Sequence, residues 1–224
     1  MAGNAQEPLA DIEQRLMRMA DLAGQMVGDA VRAVCERNEL LADTVIARDD
    51  EVDQLDFDIE SRCVRLIAAE QPTGRALRSV ASVLKVIGDI ERIADYSLDI
   101  AKTGLLLGHG SGPWPVDLKA MGDLGQEMLR QAMAAFAAGD VEAAGRVVEM
   151  DREMDRLYHS QLASLVETMC ESPEGVRAGV YLALAMRYLE RIGDHISNVA
   201  ERVLYVAVGQ PARLRTDFES DAQP

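Results

Sequence analysis

Glu91-Arg92-Ile93-Ala94-Asp95 and Glu190-Arg191-Ile192-Gly193-Asp194 are one pentapeptide written twice, 99 residues apart. Working outward, a shift of 102 residues lays Met26 on Met128, Ala30 on Ala132 and Ala33 on Ala135. The same shift puts Asp49, Glu51, Asp53 and Leu55 on Asp151, Glu153, Asp155 and Leu157. The change from 102 to 99 places a small indel in the turn between the two matching stretches. Self-similarity on this scale marks a duplicated structural unit.

Each unit reads as three helices. Apolar residues make up 48 % of the chain and aromatics only 4 %, so Ala, Leu, Val, Ile and eleven Met supply the core. Ala, Leu and Met favour helices. Pro8, Pro72, Pro113, Pro115, Pro173 and Pro211 leave long proline-free stretches between them, and proline is tolerated only at helix starts and in connections. The stretch from Leu9 to Gln71 would extend on the order of 95 Å as one helix, at 1.5 Å per residue. A break near Glu36-Arg37-Asn38 is therefore expected, with Asn38 as the cap of the next helix. Gly139-Asp140 provides the matching break in the second half. Ser172-Pro173-Glu174 is a helix start, with cap, proline and acid in sequence.

The spacing predicts helices over 9–36, 39–70, 74–107, 116–138, 141–171 and 174–208. The fold class is all-α: two tandem, pseudo-symmetric up-down-up three-helix bundles, covering residues 9–107 and 116–209. His109-Gly110-Ser111-Gly112-Pro113-Trp114-Pro115 is the linker between them. The polar tail from Pro211 to Pro224 is expected to lie outside the fold. Gly88 and Gly193 are expected to admit close helix contacts.

The net charge is −15. It argues against nucleic acid and anionic lipid as partners, since both need a basic surface. Cys35, Cys63 and Cys170 are far apart and form no Cys-x-x-Cys, so buried free thiols are expected. The N-terminus carries no basic region followed by an apolar run, and no apolar stretch approaches a membrane span. A soluble, cytoplasmic protein is the expectation.

The acids fall in stripes. At roughly 100° per residue, Asp49, Asp53, Asp56 and Glu60 share a strip about 60° wide on the second helix. Seven acids and no base occur from Asp49 to Glu60. Val52, Leu55, Ile59, Cys63 and Leu66 form a separate apolar stripe. Glu91, Asp95 and Asp99 line one side of the third helix. Glu190, Asp194 and Glu201 do so on the sixth, with Asn198 among them and Ile192, Ile196, Val199 and Val203 nearly opposite. If the second and third helices pack side by side, their stripes converge. Carboxylates so close call for a cation or for shifted protonation. The donors are oxygens, with His159 the one nitrogen in reach of a stripe, which suits Mg²⁺, Mn²⁺, Ca²⁺ or iron rather than structural zinc. A solvated acidic face remains the alternative. A di-iron oxidase site would need Glu-x-x-His on two helices, and none of His109, His159 or His195 has Glu three residues before it. Gly-rich phosphate loops, Gly-x-Ser-x-Gly and His-Glu-x-x-His are missing as well.

The duplicated Glu-Arg-Ile-(Ala/Gly)-Asp and the helical layout resemble the PhoU family. The resemblance also runs through Asp58-Ile59-Glu60, Cys63 to Ala68, Gln71-Pro72-Thr73 and Leu77-Arg78, and covers about residues 9–209. The family pattern of an acid, three residues and Asp falls on Asp49/Asp53, Glu91/Asp95, Asp151/Asp155 and Glu190/Asp194, with Asp99 one turn further on. The resemblance implies that these residues, with Asp56, bind metal ions: Mg, Mn, Fe or Zn. Ala76 and Ala94 depart from the family pattern, and Tyr158 and Leu162 stand where the first half has Asp56 and Glu60. The second site is therefore expected to be weaker, or different in metal number. The implied activity is regulatory, not enzymatic: repression of phosphate uptake and of the phosphate-starvation response. The implied partners are the ATPase subunit of a phosphate ABC transporter and a sensor histidine kinase, with contact to the membrane only through them, and a homodimer. A metal-free helical adaptor, or a regulator of another transporter, stays open beside it. Arg92 and Arg191 are expected to make interhelical ion pairs rather than to bind phosphate.

Overall fold

The computed structural model describes residues 6–107, 114–171 and 175–209. They form six α-helices: α1 Gln6–Glu36, α2 Glu39–Glu70, α3 Gly74–Leu107, α4 Leu118–Ala138, α5 Val141–Glu171 and α6 Val176–Val208. Residues 108–113, Ser172-Pro173-Glu174 and the tail from 210 lie outside the described residues, so the expected linker is described only at Trp114 and Pro115.

The breaks fall where the capping chemistry puts them. The Leu41 amide donates to Asn38 Oδ1 at 3.1 Å, closing the first turn of α2. Gly139 ends α4 at φ 67°, and the Ala143 amide donates to Asp140 Oδ1 at 3.0 Å to start α5. Gly139 takes the left-handed conformation that a Cβ would strain. Three starts differ from expectation, α6 beginning at Val176 rather than at residue 174. α1 begins before Pro8, because the amides of a first turn have no intrahelical partner to lose. α4 begins at Leu118 because Asp117 caps it, accepting from the Ala120 amide at 2.9 Å.

Within each half all three helices pack on one another, and α3 against α6 and α1 against α4 join the halves. α2 and α5 lie outermost, each touching only its own half. The core is continuous across both halves. It includes the expected stripe Val52, Leu55, Ile59, Cys63 and Leu66 of α2 and Ile192, Ile196, Val199 and Val203 of α6. Of the three free thiols only Cys63 is buried; Cys35 and Cys170 are exposed, correcting the expectation. Both lie in the last turn of their helices. Gly193 is buried and faces α5, as close contact requires. Gly88 is exposed with open space around it, because it lies on the outer side of α3.

The two glycines should therefore respond oppositely. A Cβ on Gly193 would lie 2.8 Å from Asp151 Oδ1 and 3.3 Å from Met154 Cγ, whereas one on Gly88 would meet nothing within 4 Å. Gly193→Ala should cost about 1–3 kcal/mol by overpacking. Gly88→Ala should gain about 0.5–1 kcal/mol from helix propensity. Urea unfolding of the two variants checks both signs.

Candidate functional site

The stripes of neighbouring helices do meet, in two places. On the first face, α2 supplies Asp49 and Asp53, and α3 supplies Glu91, Asp95 and Asp99. Burial pushes the Asp49 carboxyl above its ordinary value, and the charges of Asp53 and of Asp95 across the seam push it further. Glu91 is raised by burial, then by Asp95 one turn away, with Asp53 of α2 adding to it. Asp99 is raised by burial, with Lys102 opposing. Asp56 is raised by burial and then by Glu60 and Asp53, all on α2, so it extends the face along that helix rather than across the seam.

On the second face, α5 supplies Asp151 and Asp155, and α6 supplies Glu190 and Asp194. Asp151 is buried against Gly193 of α6. Burial raises Glu190 first, Asp194 adds to it, and Arg187, Arg191 and Asp155 contribute less. This face is the deeper one. The Glu190 side chain is 9 % exposed, where that of Glu91 is 30 %. Asp194 is 16 % exposed, where Asp95 is 36 %. Glu201 lies on α6 further along, half-buried.

Two side chains contribute to the difference, and the pairing of the repeats identifies both. Arg187 stands where the first half has Gly88, and Tyr158 where it has Asp56. Arg187 Nη1 donates to Glu190 Oε1 at 2.6 Å, and its guanidinium lies 5.7 Å from the Tyr158 ring centroid. This pair covers the second face. Arg187 was not singled out from the sequence. The signal for it was the mismatch with a glycine inside otherwise matching helices.

Arg92 and Arg191 pair within their own helices, not between helices as expected. Arg92 Nη1 meets Asp95 Oδ2 at 2.9 Å, and Arg191 Nη1 meets Asp194 Oδ2 at 3.2 Å. The three-residue spacing lets each guanidinium reach the motif aspartate of its own turn. Among the described residues no three acids, histidines or cysteines converge closely enough to hold an ion as their side chains stand. The donor set still fits a hard cation: oxygens only, in surplus over bases, with carboxyls driven upward by burial and mutual repulsion. His159 does not join it, since its Nδ1 lies 2.8 Å from the Asp155 carbonyl oxygen of its own helix.

The model of the PhoU domain matches this chain twice, over residues 16–103 and 118–203. The chain belongs to the PhoU family. A phosphate-specific transport system accessory protein PhoU homolog from Pseudomonas aeruginosa is 35 % identical over 207 residues, 92 % of this chain and 86 % of that protein. The PhoU of the same name from Serratia marcescens is 31 % identical, over 95 % of this chain and 88 % of its own length. The crystal structure of PhoU from Pseudomonas aeruginosa superposes with a TM-score of 0.87, covering 91 % of this chain and 99 % of that one. The phosphate transport system regulatory protein PhoU from Streptococcus pneumoniae, 26 % identical, superposes at 0.88 and covers 93 % and 99 %. Among the described residues no helix is long and apolar enough to cross a membrane.

Glu190 offers a pH test. Its folded-state value lies above the ordinary 4.5, so the folded state holds this proton more tightly than the unfolded chain does. The resulting stability is fully present below pH 4.5 and is lost as pH rises through the folded-state value. Glu190→Gln removes that loss. Its melting temperature should gain on the wild type between pH 4.5 and neutrality in metal-free buffer. Parallel pH profiles of the two proteins would show that the carboxyl is not held above its usual range.

Proposed function

We propose that this chain is a cytoplasmic negative regulator of phosphate uptake. It couples a phosphate ABC transporter, through its ATPase subunit, to a sensor histidine kinase, and it holds cations on its two carboxylate faces. The observation that carries this is the duplicated, seam-spanning carboxylate face on a PhoU fold whose relatives are named for the phosphate-specific transport system. No catalytic role is assigned to any residue. A homodimer is part of the proposal, as a second copy of the same chain in the signalling assembly.

The residues that would hold a cation are Asp49, Asp53, Glu91, Asp95 and Asp99 on the first face, with Asp56 at its edge. Asp151, Asp155, Glu190 and Asp194 would do so on the second. A bound cation would supply positive charge that neutralises the face. The first face has six acids against Arg92 and Lys102, and the second has four against Arg187 and Arg191. The first therefore carries the larger uncompensated charge and lies more open to solvent. The stronger attraction for a cation is assigned to it, and Arg92 and Arg191 would have to yield Asp95 and Asp194. Loading a face with cations changes the charge shown to a partner, and that links the metal to docking.

Metal content measured by plasma mass spectrometry tests the cation. Protein purified without chelator should carry Mg, Mn, Fe or Zn in whole-number ratio, lost in the Asp95→Asn/Asp194→Asn variant. No metal in either protein would reduce the faces to acidic docking surfaces. Deleting the gene tests the regulation: phosphate-starvation genes should switch on in phosphate-rich medium and switch off again on complementation. Unchanged expression would remove the regulatory role.

A further inference from the structure

Phe57 is 71 % exposed and Val64 55 % exposed, on the outward side of α2. They are seven residues apart, so they stand two turns apart on one line, separated by about 10 Å along the axis. Asp50 and Ala68, both exposed, lie on the same line within about 20° of Phe57. Exposed Asp53 and Glu60 flank it on one side. The core side of α2 is fully served by Val52, Leu55, Ile59, Cys63 and Leu66. The second apolar strip therefore has no task within the described fold. α2 touches only α1 and α3, so nothing described covers it.

We infer that this strip is a docking surface for a positively charged, apolar-faced segment of a partner protein. Phe57 and Val64 are the anchors, and Asp50, Asp53 and Glu60 are the charged rim. Phe is an effective anchor because it buries a large apolar area at little cost in side-chain entropy. The rim selects the occupant. A second copy would bring the same acidic strip and a net charge of −15, and an anionic lipid surface is repelled as well. A basic segment is attracted by the rim and loses water against the strip.

The repeat supplies a control. Val166 of α5 corresponds to Val64 and is 46 % exposed, but His159 stands at the place of Phe57. Arg152 and Arg156 stand where α2 has Asp50 and Gln54. The α5 strip lacks the aromatic anchor and carries Arg152 where α2 has the acidic Asp50, so docking belongs to α2 alone.

The partner's identity rests on the reading that this chain acts on a phosphate transporter, and two probes separate the two claims. The first is the purified ATPase subunit of the phosphate transporter from the same genome. The second is an 18-residue helical peptide of Lys and Leu, with Leu spaced i, i+3, i+4, i+7 along one face, beside a scrambled peptide of equal charge. Wild type, Phe57→Ser/Val64→Ser and Val166→Ser are compared by calorimetry. All three sites are exposed, and circular dichroism checks that the folds agree. The double α2 variant should bind the amphipathic peptide at least tenfold more weakly than wild type, with Val166→Ser unchanged. The ATPase subunit should show the same pattern. Peptide affinity that is the same in all three proteins, or equal for the scrambled peptide, overturns the docking surface. ATPase binding that survives the double α2 variant at full strength overturns it for that partner. A wild type that binds the amphipathic peptide through Phe57 but ignores the ATPase subunit keeps the surface and removes the transporter reading. A dimer in sedimentation that the double variant dissolves assigns the strip to a second copy and overturns the proposal.

Discussion

The packing of α3 against α6 is the constraint from which the rest of the molecule follows. A three-helix unit of this size buries its own helices along one side and leaves an apolar side open. Ile90, Ile93 and Ile100 of α3 and Ile192, Ile196 and Val199 of α6 are all inaccessible to solvent. Duplication supplies each half with the partner it needs. Polar groups set the register of the seam: His195 Nδ1 lies 2.9 Å and Asn198 Nδ2 3.0 Å from Asp89 Oδ1. Arg78 also reaches across, donating to the Val206 carbonyl at the end of α6 at 3.3 Å. With α1, α3, α4 and α6 committed to the centre, α2 and α5 can only flank, and a seam with α3 or α6 opens beside each.

That geometry explains why the carboxylate faces occur as a pair and why they differ. Each lies in the seam between a flanking helix and the third helix of its half. The matching acids are inherited by duplication. Differences enter at positions that are not fully buried, where substitution is cheap. Gly88 against Arg187 and Asp56 against Tyr158 lie at such positions, and together they turn an open acidic face into one covered by a cation and a ring. Asp99 against Asn198 removes one more charge from the second face.

Helix ends were legible in the sequence because caps are local: Asn38, Gly139 and Asp140 act on amides and carbonyls within a few residues of themselves. Core stripes were legible because helical periodicity needs no knowledge of the neighbour. What a neighbour decides was not legible. Cys35 and Cys170 look apolar in context, yet they are exposed in the last turn of their helices. Arg92 and Arg191 could reach across a seam or along their own helix, and only the positions of Asp95 and Asp194 show the latter. Asp151 and Glu190 read as members of a surface stripe. They are buried, at 2 % and 7 % exposure, because Gly193 lets α5 approach α6 closely.

The two sides of α2 differ in how their charges are met. Toward α1 the charges are matched. Arg15 and Arg62 each bridge Asp11 and Asp58, at distances from 2.8 to 3.1 Å, and Arg18 meets Glu51 at 2.7 Å. Their effect is seen in Asp11 and Asp58, whose carboxyls are held low chiefly by hydrogen bonds from Arg15 and Arg62 respectively. Toward α3 the same helix presents carboxyls that are raised. Like charges one turn apart each cost a few tenths of a kcal/mol, so a chain selected for stability alone would match that seam as it matches the other. One helix therefore carries both solutions, and the arginines that could neutralise the α3 side are placed on the α1 side. An excess left beside a working means of removing it is what the proposed cations and the basic partner would neutralise.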